Sequence, residues 1–294
     1  MKAAVQLVIP TLNAGPLWLE VIQAIQAQKD LAFEVLVIDS GSVDQTVQWA
    51  KEAGWPVKRI EASSFNHGGT RQWAVEQQAP ETHFVVFMTQ DAILSNDLAL
   101  KYLLEPFEDP SIAGVYGRQL PHLNASLYAA STRWIHYPDQ SETRSFADTQ
   151  RLGLKTVFFS NSFAAYRIDA LKAVGGFPKS VPLGEDMYVC AKFLASGFKV
   201  RYCAQACVRH SHNFTYKEEF LRYKATGGFH AQEKWLLKTF GTTSKLGHET
   251  LQLQIKRYNK HNRVPSFWKT FLYADLFLRS TIKFMGYWMG RVLG

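Results

Sequence analysis

Cysteine is scarce: Cys190, Cys203 and Cys207 are the only three in 294 residues. An odd number, interspersed with strand- and helix-like sequence, excludes a disulfide framework. Each reads as a small core side chain in a reducing compartment rather than a metal ligand or nucleophile. No uncharged apolar run reaches the roughly 20 residues of a membrane-spanning helix. Met1-Lys2-Ala3-Ala4-Val5 lacks the apolar stretch of a secretion signal and runs straight into a strand. Repeats and low-complexity tracts are missing too. A folded cytosolic protein is expected, with room for contact at a membrane surface.

What is abundant is aromatic and basic. Aromatics make up 14% of the chain, with 20 Phe and 8 Trp, and the net charge is +8. The excess is uneven: Asn213 to Gly294 holds 14 Lys and Arg against 5 Asp and Glu, so the rest is close to neutral. A basic tail points to an anionic partner, either nucleic acid or a membrane surface.

Along the first hundred residues, buried strands alternate with helical patterns. Val5–Ile9, Glu34–Ile38, Val57–Ile60 and Phe84–Met88 read as strands; Leu17–Gln28, the segment after a Ser42–Thr46 cap through Ala53, and His67–Gln78 read as helices. This alternation predicts an α/β fold with a mainly parallel sheet, whose ligands gather at the carboxyl ends of the strands. Pro10-Thr11, Asp39 and Asp91 fall at those ends. Further on, Gly114–Arg118, Phe158–Tyr166 and Lys199–Ala204 look β-like, Asp169–Val174 and Met187–Ala195 helical, and everything from Tyr216 helical.

Several short runs carry chemistry. A carboxylate at Asp39 can accept the imide hydrogen of uracil or thymine, while Asp44 reads better as a helix cap. Phe65-Asn66-His67-Gly68-Gly69-Thr70-Arg71 offers backbone amides and a guanidinium suited to pyrophosphate; a plain Gly-Gly turn competes. Met88-Thr89-Gln90-Asp91 ends a strand on one acid, enough for a divalent cation bridging a diphosphate. Gly184-Glu185-Asp186 supplies either a general base or two caps for a helix dipole. In Arg209-His210-Ser211-His212 the two imidazoles are expected on opposite sides of an extended segment, so that one at most meets a metal.

Together these runs resemble family 2 glycosyltransferases, inverting enzymes of GT-A fold. The resemblance lies in Val8-Ile9-Pro10-Thr11-Leu12-Asn13, the Asp39–Asp44 segment, Asp91 and Glu185-Asp186, and covers about residues 3–215. The Phe65–Arg71 run, Thr89-Gln90-Asp91-Ala92 and Tyr116-Gly117-Arg118-Gln119-Leu120-Pro121 are similar to the rhamnosyltransferase branch. The resemblance implies a GT-A domain over 1–215 and a helical extension over 216–294. It implies that Pro10, Thr11, Asn13 and Asp39 hold the nucleoside, with Asn66, His67, Gly68, Arg71, Gln90 and Arg118 on the rest of the donor and Arg71 at its diphosphate. Asp91 with His210 or His212 would hold Mg²⁺ or Mn²⁺, and Asp186, with Glu185 beside it, would deprotonate the acceptor. Thr89 and Gln90 stand where the family often has a second acid. The Gln-x-x-Arg-Trp run of processive members is absent after residue 215. The implied donor is dTDP-L-rhamnose, with a Phe (Phe65, Phe159 or Phe163) packed on the sugar methyl; a UDP-hexose is the alternative. The acceptor would be a glycan, in particular a lipid-linked one.

The tail mixes aromatics with spaced cations in Phe267-Trp268-Lys269, Leu276-Phe277-Leu278-Arg279 and Ile282–Trp288. This suits a helix lying on anionic lipid at the cytoplasmic face of the inner membrane. Packing on its own domain, or on a second subunit as a homodimer, competes. A nucleic-acid partner is disfavoured because no basic segment lacks bulky apolar residues.

Overall fold

Leu7 and Ile9 of β1 (Val5–Thr11) face one way and Val8 the other, and all three are fully buried. A strand apolar on both faces must lie between two layers of helices. The computed structural model describes residues 4–181, 183–242, 244–260 and 266–293. In chain order the next elements are α1 (Leu17–Gln26), β2 (Glu34–Asp39), α2 (Thr46–Glu52), β3 (Val57–Arg59), α3 (His67–Glu76) and β4 (Phe84–Met88). Next come β5 (Ile93–Leu94), α4 (Ala99–Leu104), β6 (Ile112–Leu120), α5 (Leu127–His136), β7 (Glu142–Arg144) and α6 (Thr149–Leu152). They are followed by β8 (Phe163–Arg167), α7 (Ile168–Ala173), α8 (Glu185–Ala195) and β9 (Lys199–Arg209). The chain closes with α9 (Tyr216–Gln232), α10 (Lys234–Phe240), α11 (Ser244–Lys260) and α12 (Ser266–Leu293).

The sheet runs β3-β2-β1-β4-β8-β6-β9-β5, with β7 on β9. The first four strands are parallel, as the βα alternation requires. From β8 onward the sheet is mixed: β8 is antiparallel to β4 and β6, and β9 parallel to β6. An apolar run reports burial on both faces, which interior strands of either direction share, so the reversal leaves no mark in the pattern. One core layer packs Trp18, Val21 and Ile25 of α1 on Leu7, Ile9, Val37 and Val86. The other packs α3 and α8 on Val8, Val85 and Phe87. The β-like segment from Phe158 yields a strand only from Phe163, because the Asn161 amide is spent on a side chain instead of a ladder.

Phe229, Leu236 and Phe240, beyond residue 215, complete the second core layer. Helix α12 lies on α9 through small residues: a Cβ on Gly290 would stand 1.9 Å from the Lys224 carbonyl oxygen. Buried Glu219 of α9 receives Arg279 at 3.1 Å and Lys283 at 3.5 Å. Arg291 donates to the His230 carbonyl. Three of the tail's spaced cations are therefore turned into the protein, which corrects the expectation that they meet lipid. The opposite face of α12 exposes Phe277, Phe284, Met285, Trp288 and Val292. The side chains of Phe267 and Trp268 lie outside the described residues. Among the described residues no helix is long and apolar enough to cross a membrane.

Candidate active site

The loops after β1 and β2 are laced together at the carboxyl edge of the sheet. Asp39, at 0% exposure, accepts four hydrogen bonds. Thr11 Oγ1 (3.0 Å) and Ser42 Oγ (2.5 Å) donate to Oδ2, and the amides of Gly41 (3.1 Å) and Ser42 (3.0 Å) donate to Oδ1. Asn13, in the left-handed region at φ 46°, donates its N–H to Ser42 Oγ and accepts from the Val43 amide. Asp44 accepts from the amides of Gly15 and Thr46, in keeping with a capping role. Pro10 sits in the ladder opposite Ile38. Asp39 thus shapes the loop a nucleoside would meet, with its own carboxylate sealed beneath it.

Gln90 occupies the place of a second acid after β4. Its Nε2 donates to the Leu12 carbonyl at 3.0 Å, and its Oε1 accepts from the Leu12 amide at 2.7 Å. This paired contact braces the β4 end against the β1 loop. Next to it, Asp91 stands 3.5 Å from His210 Nε2 and 3.6 Å from His212 Nδ1. The three donor atoms all lie within 4.8 Å of one another. Both histidines thus reach one acid, correcting the expectation of opposite sides: residues two apart return to the same side of an extended backbone.

A residue the motif reading passed over orients this trio. Gln119 Nε2 donates to Ser160 Oγ at 2.9 Å, leaving its Oε1 3.0 Å from His210 Nδ1. The proton therefore sits on Nδ1, and Nε2 is left as a lone pair aimed at Asp91. Burial pushes His210 down to about 3, so at neutral pH it is an uncharged donor. The His210 lone pair facing the Asp91 carboxylate is repelled by it, and a divalent cation held among the three donors reverses the sign. Donors around one such ion sit about 3 Å apart at right angles, within a small adjustment of the observed spacing. One carboxylate with two imidazoles fits the site. Arg118, chosen from the same run, is turned away and donates to the Tyr137 carbonyl at 3.3 Å. Strand alternation separates the two, and it was the signal that would have found Gln119.

The Phe65–Arg71 run holds a helix and an acid rather than an open phosphate cradle. Asn66 Oδ1 accepts from the amides of Gly68 (3.0 Å) and Gly69 (2.9 Å), capping α3. Gly68 is required by packing: a Cβ there would stand 1.9 Å from the Pro178 carbonyl oxygen. Arg71 is 2% exposed, with Nη1 3.1 Å from Glu185 Oε1 and 2.9 Å from the His67 carbonyl, and its guanidinium over the Phe87 ring. It is sealed from the cleft, so the expected diphosphate contact falls elsewhere.

Gly184, at φ 85°, opens α8 in a conformation that suits glycine, and the two acids follow. Asn161 joins them: its Nδ2 donates to Glu185 Oε1 at 2.9 Å and its amide to Asp186 Oδ2 at 3.2 Å, while Tyr166 donates to its Oδ1 at 2.6 Å. Burial pushes Glu185 up, but Arg71, His67 and Asn161 outweigh it and hold the carboxyl below its usual range. Among the described residues no cation forms an ion pair with Asp186, and Arg71 lowers it only weakly. Burial first, and then the Glu185 charge, raise it to about 7. Neighbouring carboxyls driven apart in this way separate an ionised structural acid from one able to take a proton near neutrality. Phe159 and Phe163, at 4% and 1% exposure, are core residues and cannot pack on a sugar; Phe65 is half-buried. A cleft of about 390 Å³ opens beside Asp91 and His212, lined further by His122, Asn124 and Phe214.

A mixed sheet with its acids at the carboxyl edge, a three-donor ion site and a raised acid define a glycosyltransferase of GT-A fold. The chain belongs to glycosyl transferase family 2, whose model matches residues 6–175. It is 43% identical over 98% of its length to the O-antigen chain rhamnosyltransferase RfbN of Salmonella typhimurium, covering 89% of that protein. It is 42% identical over 97% of its length to WbaN of Salmonella anatum, also an O-antigen chain rhamnosyltransferase, covering 88% of it. Among solved structures, the mannosyltransferase PcManGT from Pyrobaculum calidifontis, in complex with GDP-Man and Mn²⁺, is similar in fold. Its TM-score is 0.65 over 100% of this chain and 87% of that one, at 16% identity. Glucosyl-3-phosphoglycerate synthase from Mycobacterium tuberculosis, with Mn²⁺, UDP and product, aligns at a TM-score of 0.54 over 81% of this chain and 80% of that one, at 20% identity.

Proposed function

We propose that this glycosyltransferase moves an L-rhamnosyl unit from dTDP-β-L-rhamnose to a hydroxyl of a glycan acceptor, with inversion. The single observation carrying the rhamnosyl reading is the likeness, over nearly the whole chain, to two O-antigen chain rhamnosyltransferases. The acceptor oxygen forms a bond to the anomeric carbon as the bond to the diphosphate breaks, and Asp186 takes the hydroxyl proton. Glu185, paired with Arg71, keeps a fixed negative charge beside Asp186 and so keeps it basic. The loops bearing Thr11, Asn13 and Asp39 seat the nucleoside. Asp91, His210 and His212 would hold a divalent cation, which supplies charge to the departing diphosphate. Two imidazoles among three donors favour Mn²⁺ over Mg²⁺, since Mg²⁺ prefers oxygen.

The enzyme works at the cytoplasmic face of the inner membrane on a lipid-linked glycan. Phe277, Phe284 and Trp288 form an apolar face suited to the lipid interface, on the side of α12 away from α9. Calorimetric titration of dTDP-L-rhamnose against UDP-glucose, UDP-GlcNAc and UDP-galactose, with turnover on each, tests the donor. Tighter binding and turnover with a UDP-hexose would sink the rhamnosyl reading and leave glycosyl transfer standing.

A further inference from the structure

His212 lies in residues 210–215, which join β9 to α9 and belong to no strand or helix. A segment without a ladder keeps its shape through the groups that tie it down. Ser211 Oγ accepts from the His122 amide at 3.0 Å. The Asn213 side chain accepts from the Ser126 amide at 2.8 Å and donates to the Asn124 carbonyl at 3.0 Å. The remaining tie comes from α12: Arg279 Nη1 donates to the Phe214 carbonyl at 2.9 Å. The two imidazoles of the ion site are held in different ways. Gln119 fixes His210, but among the described residues no hydrogen bond fixes the ring of His212. That ring is held by its neighbours, with His210 edge-on at 4.7 Å and Phe214 inclined at 33° and 4.8 Å. The position of Phe214 therefore sets where His212 can point.

Arg279 is itself enclosed. Its Nε donates to both oxygens of Asp275, one turn earlier in α12, at 3.1 and 2.9 Å. Its Nη1 also stands 3.1 Å from the buried Glu219 carboxylate of α9. Tyr128 of α5 and Tyr216 of α9 bring their rings to 4.6 and 4.8 Å from the guanidinium. A planar fork gripped by two carboxylates and two rings keeps its N–H directions, so the bond to the Phe214 carbonyl is a fixed point. Metal–nitrogen bonds tolerate only about 0.2 Å, and a small displacement of Phe214 is felt as lost cation affinity. We propose that Arg279 is a positioning residue for the ion site, setting the His212 ring through Phe214. The proposal rests on the reading of Asp91, His210 and His212 as a cation site. The helix whose outer face is apolar thereby also keeps a cation ligand in place.

The test is titration of Mn²⁺ alone into the full chain, followed by calorimetry, with melting temperatures measured beside it. The proteins are wild type, Arg279→Lys, Phe214→Leu, the two combined, and Lys283→Met. Lysine keeps a charge for Glu219 but cannot serve Asp275 and the Phe214 carbonyl as the fork does. The Mn²⁺ dissociation constant should rise about threefold to tenfold in Arg279→Lys and in Phe214→Leu, less than at Gln119, which touches an imidazole directly. The double variant should lose no more than the worse single one, because both act through one ring. Lys283 pairs with the same Glu219 at 3.5 Å and bonds Tyr128 instead of the 210–215 segment. Lys283→Met should therefore lower the melting temperature and leave Mn²⁺ affinity within about twofold of wild type. If Arg279→Lys does not fold, Asp275→Asn releases the guanidinium at its more exposed end and should weaken Mn²⁺ in the same direction. Unchanged Mn²⁺ affinity in the Arg279 or Asp275 variant, additive losses in the double, or an equal loss in Lys283→Met overturns the positioning role. A wild type that takes up no Mn²⁺ sinks the cation site itself, whereas Mn²⁺ binding indifferent to Arg279 sinks the present proposal alone.

Discussion

Arg71 Nη1 and Glu185 Oε1 form a buried ion pair at 3.1 Å, and the next residue, Asp186, carries a raised carboxyl with no ion-pair partner among the described residues. The pair comes from α3 and α8, which pack on the same face of the sheet. One guanidinium thereby divides two adjacent acids between structure and chemistry.

Asp186→Asn should slow turnover at least a hundredfold, or by about 3 kcal/mol of barrier, with donor affinity nearly unchanged. The same change should stabilise the fold. A carboxyl raised from 3.8 to about 7 binds its proton more tightly folded than unfolded, so it costs stability as pH rises through that window. Asparagine removes the penalty, and the melting temperature at pH 8 should rise by about 2 °C or more. A variant that keeps wild-type turnover takes Asp186 out of the base role.

The pH profile follows from the same group. Below about 7 the free enzyme's Asp186 is protonated and cannot accept the acceptor's proton, so kcat/KM should fall with unit slope on the acid side. In Arg71→Met the Glu185 charge loses its partner and that limb should move. A limb that is absent from wild type, or that stays put in Arg71→Met, breaks the link between pair and base.

Breaking the pair also costs stability. Arg71→Met leaves Glu185 buried and unpaired, and about 3–5 kcal/mol should be lost in urea unfolding. Arg71→Met with Glu185→Gln should recover much of it. Equal losses in the single and double variants would show no coupling.

Gln119→Leu should weaken Mn²⁺ binding about 10- to 100-fold, because His210 Nδ1 loses the acceptor that fixes its tautomer. Gln90→Leu should cost about 1–2 kcal/mol of stability through its two Leu12 bonds and leave Mn²⁺ affinity alone. Titration of Mn²⁺ into each variant separates orienter from brace; a large Mn²⁺ effect at Gln90 would make it a ligand after all.

Phe277→Ser with Phe284→Ser and Trp288→Ser should abolish most sedimentation with anionic vesicles without lowering the melting temperature, since all three are exposed. With Arg279, Lys283 and Arg291 turned inward, wild-type binding should change little between low and physiological salt. A steep salt dependence would give the contact to other cations.

The amino-acid sequence by itself determined the parallel half of the sheet, the strand ends that bear Asp39 and Asp91, and the acids opening α8. Those features follow from short-range patterns: apolar runs covered on both faces, caps beside them, and turns that need glycine. Only the tertiary structure decided what each motif residue does. Gln119 meets His210 and Arg71 meets Glu185 because strands and helices distant in the chain pack together, and that enclosure sets which carboxyl keeps its charge. Likewise Asn66 spends its side chain on the Gly68 and Gly69 amides, and α12 turns its cations onto Glu219 and the His230 carbonyl. Local composition cannot distinguish such groups from free ones, because charge, burial and hydrogen-bond demand are properties of the assembled surroundings rather than of the residue.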